Sequence, residues 1–131
     1  MAISKPAGLL VHRTRLDFGV RTSALQQLRD QLARTVYPAH RLDRATSGVL
    51  LFALDTLSHQ RLSIAFELAR ISKRYLAIVR GWPPDEAVID HPLRRLSDDG
   101  DVLAEDSAQQ ALTHLRTLAR VALPIAIDHY P

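Results

Sequence analysis

Six consecutive apolar residues, Val49-Leu50-Leu51-Phe52-Ala53-Leu54, constrain this chain more than any other stretch. They are too few to span a bilayer and too short for a typical buried helix. Turn-forming Thr46-Ser47-Gly48 precedes them, and Asp55-Thr56, a pair suited to starting a helix, follows. A run of this length between such signals reads as a strand buried on both faces. The chain on either side must then supply what covers it.

The flanking sequence offers that cover. Thr22 or Ser23 can cap a helix over about 23–35, with Leu25, Leu28 and Leu32 along one face. Pro38 stops it and biases Tyr37 towards an extended conformation. Asp55 or Thr56 can cap a second helix over about 57–70, with Leu57, Leu62, Ala65 and Leu68 or Ala69 facing inward. Ala2-Ile3-Ser4 followed by Lys5-Pro6-Ala7-Gly8 reads as a strand running into a turn, and Leu9–His12 as a further short strand. Residues 73–80 carry a strong strand pattern that Gly81 and Pro83-Pro84 end. Residues 88–93 and 111–121 are further strand candidates, and the acidic stretch 97–110 reads as a loop. The expected class is α+β: a mixed, mainly antiparallel sheet with two flanking helices in one domain.

With 131 residues and 47% hydrophobic composition, the chain can build one modest core. It contains no cysteine, which removes disulfides and thiolate metal sites and is compatible with a reducing, cytoplasmic setting. Neither a signal-peptide pattern nor a membrane-length apolar run is present. There is no Walker loop, no Gly-x-Gly-x-x-Gly, no Gly-x-Ser-x-Gly and no His-Glu-x-x-His. Nucleotide-dependent, nicotinamide-dependent and zincin chemistry are therefore unsupported. The net charge of +3 hides an asymmetry: residues 1–81 carry +8 and residues 82–131 carry −5. A basic front half can be a phosphate-contacting surface or a solvated Arg-rich face.

The candidate chemistry lies in His40-Arg41-Leu42-Asp43-Arg44-Ala45-Thr46-Ser47-Gly48. On an extended chain Arg41 and Asp43 point to the same side, just before a turn. An aspartate there is ordinarily a turn former or a salt-bridge partner, and a tyrosine such as Tyr75 on a strand ordinarily packs.

Three segments in order nevertheless resemble the RluA-type pseudouridine synthases. They are Lys5-Pro6 with Gly8-Leu9-Leu10-Val11-His12-Arg13, then Ala39-His40-Arg41-Leu42-Asp43-Arg44 with Thr46-Ser47-Gly48, then Lys73-Arg74-Tyr75 with Ala77–Trp82. A weaker likeness runs through Pro92-Leu93 and Thr113-His114 to Tyr130-Pro131. The resemblance implies an enzyme that breaks the N1–C1′ bond of a uridine in RNA, turns the base and rejoins it through C5, with no cofactor and no metal. It implies that Asp43 is catalytic, attacking the nucleoside or removing a sugar proton. It implies that Arg41 fills the space a flipped base leaves and that Tyr75 packs on the flipped uracil. Arg13, Arg15, Arg44 and Lys73 are candidate phosphate contacts. The likeness is strongest to members acting on tRNA, at uridine 65, with a ribosomal RNA target as the alternative.

The same resemblance makes residues 1–131 part of a catalytic domain. Relatives continue into a Gly-Arg-x-His-Gln-Leu-Arg-x-x-His segment whose arginine pairs with the catalytic aspartate. The expectation is thus a fragment that is catalytically impaired alone, with an RNA-binding remnant as the competing reading. Asp43 is expected in a pocket that excludes water, where a cationic partner must keep it charged.

Overall fold

A computed structural model describes residues 1–13, 22–93 and 108–122. The chain divides into two compact units, Met1–Tyr75 and Leu76–Pro131, and each is described by itself.

In the first unit, strand β1 (Ala2–Lys5) leads into a turn at Ala7-Gly8, where Gly8 has φ +85°. Leu9–His12 does not form the expected strand. Its carbonyls serve helix α1 (Ala24–Leu32) instead: Ala24 N–H donates to Leu10 C=O (2.8 Å) and Leu25 N–H to Val11 C=O (3.0 Å). The first amides of a helix lack partners within it, and these carbonyls supply two. Ser23 caps the same end, its hydroxyl accepting from Gln26 N–H. Strand β2 (Tyr37–Pro38) and strand β3 (Gly48–Ala53) follow, giving an antiparallel sheet in the order β1-β3-β2. Ala2 lies opposite Leu51 and Lys5 opposite Gly48, while Tyr37 lies opposite Ala53.

The central apolar run behaves as its composition requires, with one correction. Leu50, Phe52 and Ala53 are buried, but Val49 is 66% exposed. Burial on both faces fails at this end because the covering elements pack further along the strand. Leu50 and Phe52 form the core with Val11, Ala24, Leu28, Val36 and Leu42.

Helix α2 (Thr56–Glu67) begins at Asp55, whose carboxylate accepts from both Ser58 N–H (2.7 Å) and Ser58 Oγ–H (2.8 Å). It lies over β2 and β3 with Tyr37 against His59 and His40 against Phe66. None of its residues is fully buried. Leu62 and Ala65 are half-buried, whereas Leu57 and Leu68, expected inward, are exposed along with Ala69. The helix touches the sheet through one narrow stripe, so only the centre of its apolar face is covered.

The Ser58 amide, with its hydroxyl beside it, holds the Asp55 carboxyl below its usual range. Because the folded form favours the charged state, this cap stabilises above about pH 4 and is lost as pH falls further. Circular dichroism melts of Asp55→Ala and Asp55→Asn check it. The wild-type advantage over Asp55→Ala should shrink on acidification, while Asp55→Asn, a cap that does not titrate, should keep its own.

In the second unit, strand β4 (Glu86–Asp90) pairs antiparallel with strand β5 (Leu112–Arg116), Val88 opposite His114. A bridge between Leu93 and Gln109 extends the ribbon into residues expected to be loop. Arg120 closes its other end through Asp85 (2.7 Å) and Pro83 C=O (2.8 Å). Residues 97–107 of the expected loop lie outside the described residues, as do Arg15 and the Tyr130-Pro131 end of the weaker family likeness.

The expected strand over 73–80 is absent. These residues are exposed and belong to no strand. A strand needs a ladder partner for its amides, and no described segment pairs with this one; a β-rich composition alone cannot supply it. The class is α+β, and among the described residues there are two helices and every strand pairing is antiparallel.

Candidate active site

Past β2 the chain turns away from β3 and returns to it at Gly48. Between them, Leu42 points into the core while Arg41 and Asp43 face solvent, with side chains 77% and 83% exposed. The alternation expected of an extended segment is therefore present. Thr46 N–H donates to Asp43 C=O (3.0 Å), closing a β-turn with Arg44 and Ala45 at its centre. Gly48, with φ +127°, lets the chain swing from this turn into β3 through backbone angles that other residues rarely adopt.

The turn is tied to the Lys5–Gly8 segment. Lys5 is completely buried. Its ammonium donates to Leu9 C=O (2.7 Å), Pro6 C=O (3.0 Å) and Arg44 C=O (3.2 Å), which uses all three of its protons. Gly8 N–H also donates to Arg44 C=O (2.8 Å), and Arg44 Nε–H returns a bond to Gly8 C=O (3.1 Å). The residue after Asp43 is thus bonded in both directions to the turn that follows β1. On the opposite side, Leu51 N–H of β3 donates to His40 Nε2 (3.1 Å).

Arg41 and Asp43 come together, but only loosely: Nη2 to Oδ1 is 4.0 Å. An exposed pair at that distance contributes at most about 1 kcal/mol. The pocket expected around Asp43 is not formed by these residues, whose side chains are both largely exposed. Arg44 is exposed with its Nε committed to Gly8. Arg13 is exposed, at the edge of the described segment. Lys73 and Tyr75 are exposed, Tyr75 to 62%, and Tyr75 is not on a strand. Among the described residues no hydrogen bond, ion pair or ring contact joins either to Asp43.

Sequence reasoning missed Lys5 and His40 as parts of this site. A lysine in an Arg-rich front half reads as solvated, and an isolated histidine reads as unremarkable. The available signal was their place inside the motif segments rather than any property of their own.

Comparison with known proteins identifies the family. The model of the RNA pseudouridylate synthase family matches residues 1–123. The tRNA pseudouridine synthase C of Haemophilus ducreyi is 46% identical over 132 residues, covering 99% of this chain and 54% of that protein. The tRNA pseudouridine synthase C of Salmonella typhimurium is 48% identical over 134 residues, covering 100% of this chain and 52% of that protein. A solved structure, human RNA Pseudouridylate Synthase Domain Containing 4, superposes with a TM-score of 0.66 at 28% identity, covering 92% of this chain and 51% of that one. The chain spans about half the length of the curated relatives it matches. A family match over residues 1–123 of its 131 makes this chain a member of the RNA pseudouridylate synthase family.

Proposed function

We propose that this chain carries the aspartate-bearing part of a catalytic domain that isomerises uridine to pseudouridine in tRNA, at uridine 65, in the cytoplasm. The observation that carries the reading is the Asp43 turn: a solvent-facing carboxylate, with Arg41 beside it, on a loop bonded on both flanks. The names of the relatives support tRNA as the substrate class.

In this reading the target base leaves its stack, which costs a few kcal/mol. Arg41, planar and exposed, occupies the space left behind, and Tyr75 offers an exposed ring face to the uracil. Asp43 attacks the nucleoside or takes a sugar proton; either role needs the carboxylate aimed and then desolvated by the bound RNA. Arg13, Arg44 and Lys73 contact phosphates. No step calls on a cofactor.

The test is a single-turnover assay with a tRNA transcript and a ribosomal RNA fragment, mapping pseudouridine in each. Conversion at uridine 65 of the tRNA is expected, at a rate well below that of an intact catalytic domain. Conversion only in the ribosomal fragment overturns the substrate class. The exposure of Asp43 and its long contact to Arg41 favour one second reading, an RNA-binding piece without turnover of its own. Tight tRNA binding with no conversion in either RNA is its signature.

A further inference from the structure

β2 ends at Pro38, and the chain must leave the sheet there to carry Arg41 and Asp43 outward. In the register set by Tyr37 opposite Ala53 and Pro38 opposite Phe52, Ala39 faces Leu51. A regular antiparallel pair at that point exchanges two bonds, each amide donating to the other residue's carbonyl. One of these is present: Ala39 N–H donates to Leu51 C=O at 2.9 Å. For the other, Leu51 N–H donates to His40 Nε2 at 3.1 Å. An imidazole nitrogen stands where the ladder would place a backbone carbonyl.

We infer that His40 is a positioning residue: by accepting the Leu51 amide it ends the β2–β3 ladder without leaving that amide unpaired, and so sets the direction in which the Arg41–Asp43 segment leaves the sheet. The bond defines the imidazole's state, since Nε2 accepts only when its proton is absent and Nδ1 carries the ring hydrogen. The ring is held a second time by Phe66 of α2, with centroids 5.0 Å apart. Leu42 is buried two residues on, which passes the fixed exit angle along to Asp43. His40 thus anchors one flank of the turn, as the Arg44 carbonyl anchors the other. The inference rests on reading Asp43 as the site's carboxylate, and it adds what aims that carboxylate.

Two variants of the full chain separate the acceptor from the ring. His40→Phe keeps a ring against Phe66 and has no acceptor. His40→Gln places an amide oxygen at about the reach of Nε2. Amide exchange by NMR should be roughly tenfold faster at Leu51 in His40→Phe and close to wild type in His40→Gln. Signals of Arg41–Arg44 should shift in the first and return in the second. Single-turnover conversion should fall about tenfold or more in His40→Phe, recover in His40→Gln, and leave RNA affinity unchanged. Unaltered Leu51 exchange in His40→Phe overturns the inference, as does failure of His40→Gln to restore protection. Should His40→Phe not fold, a coupling across the hydrogen bond between the Leu51 amide nitrogen and Nε2 in the wild type decides, and its absence overturns the inference. If Asp43→Asn retains turnover, the carboxylate reading fails by itself, and the Leu51 exchange result still reports on the anchor.

Discussion

Replacing Asp43 by Asn is expected to abolish pseudouridine formation while leaving the fold and the grip on RNA in place. Asn has the shape of Asp but can neither attack the sugar nor take a proton from it. Losing a positioned nucleophile or base lowers the rate by roughly a thousandfold or more. The structure argues that this loss arrives without collateral damage. The turn is closed through the backbone carbonyl of residue 43, which Thr46 N–H reaches, and not through its side chain. That side chain is 83% exposed, and its one ionic contact among the described residues is Arg41 at 4.0 Å. Stability should change by less than about 0.5 kcal/mol. Single-turnover rates with a tRNA transcript, beside a filter-binding titration, check both halves. A variant that still converts uridine at the wild-type rate would remove Asp43 from the chemistry. One that loses RNA binding along with turnover would make the carboxylate part of the docking surface.

The elements that sequence made legible are those with a local cause. The strand built on the 49–54 run, the Ser23 and Asp55 caps and the placement of Arg41 and Asp43 on one side each follow from a few adjacent residues, and each is present, the strand as Gly48–Ala53. The elements it misjudged depend on partners far along the chain. Leu9–His12 has the composition of a strand, but its Leu10 and Val11 carbonyls accept from the first turn of α1, whose amides lack partners within the helix. Residues 73–80 have an even stronger strand pattern and no described segment to pair with. The inward face assigned to α2 was too wide, because periodicity shows which side chains share a face and not how much of that face another element covers. The same limit applies to the site. The candidate carboxylate Asp43 was singled out from a nine-residue motif, but the two side chains that hold the motif's loop were not. Their role lies in bonds to Arg44 and Leu51, 39 and 11 residues away.

Lys5→Met should be as damaging to stability as truncating a core side chain, which is the reverse of what a lysine in a basic chain would ordinarily predict. Methionine nearly matches the lysine stem, so the buried volume at this position is kept and the test isolates the ammonium. Three carbonyls then lose a charged donor: Leu9, Pro6 and Arg44. The Arg44 carbonyl retains Gly8 N–H at 2.8 Å, so Pro6 and Leu9 bear most of the loss. Hydrogen bonds to a charged group contribute about 1.5–3 kcal/mol each, and relief from burying the charge offsets part of that. The net expectation is a destabilisation of about 3 kcal/mol, a large share of the 5–15 kcal/mol that typically holds a domain together. Urea unfolding of the two chains measures it, and an unchanged midpoint would sink the claim. Salt supplies a control that tells this contact from surface electrostatics. Lys5 is wholly inside the protein, beyond the reach of screening ions, so the gap between wild type and Lys5→Met should survive 1 M salt. The Arg41–Asp43 pair is open to solvent, and whatever it contributes should vanish under the same conditions. The contrast separates the charges by role: Arg41 and Asp43 face solvent, and the buried Lys5 holds the turn on which they stand.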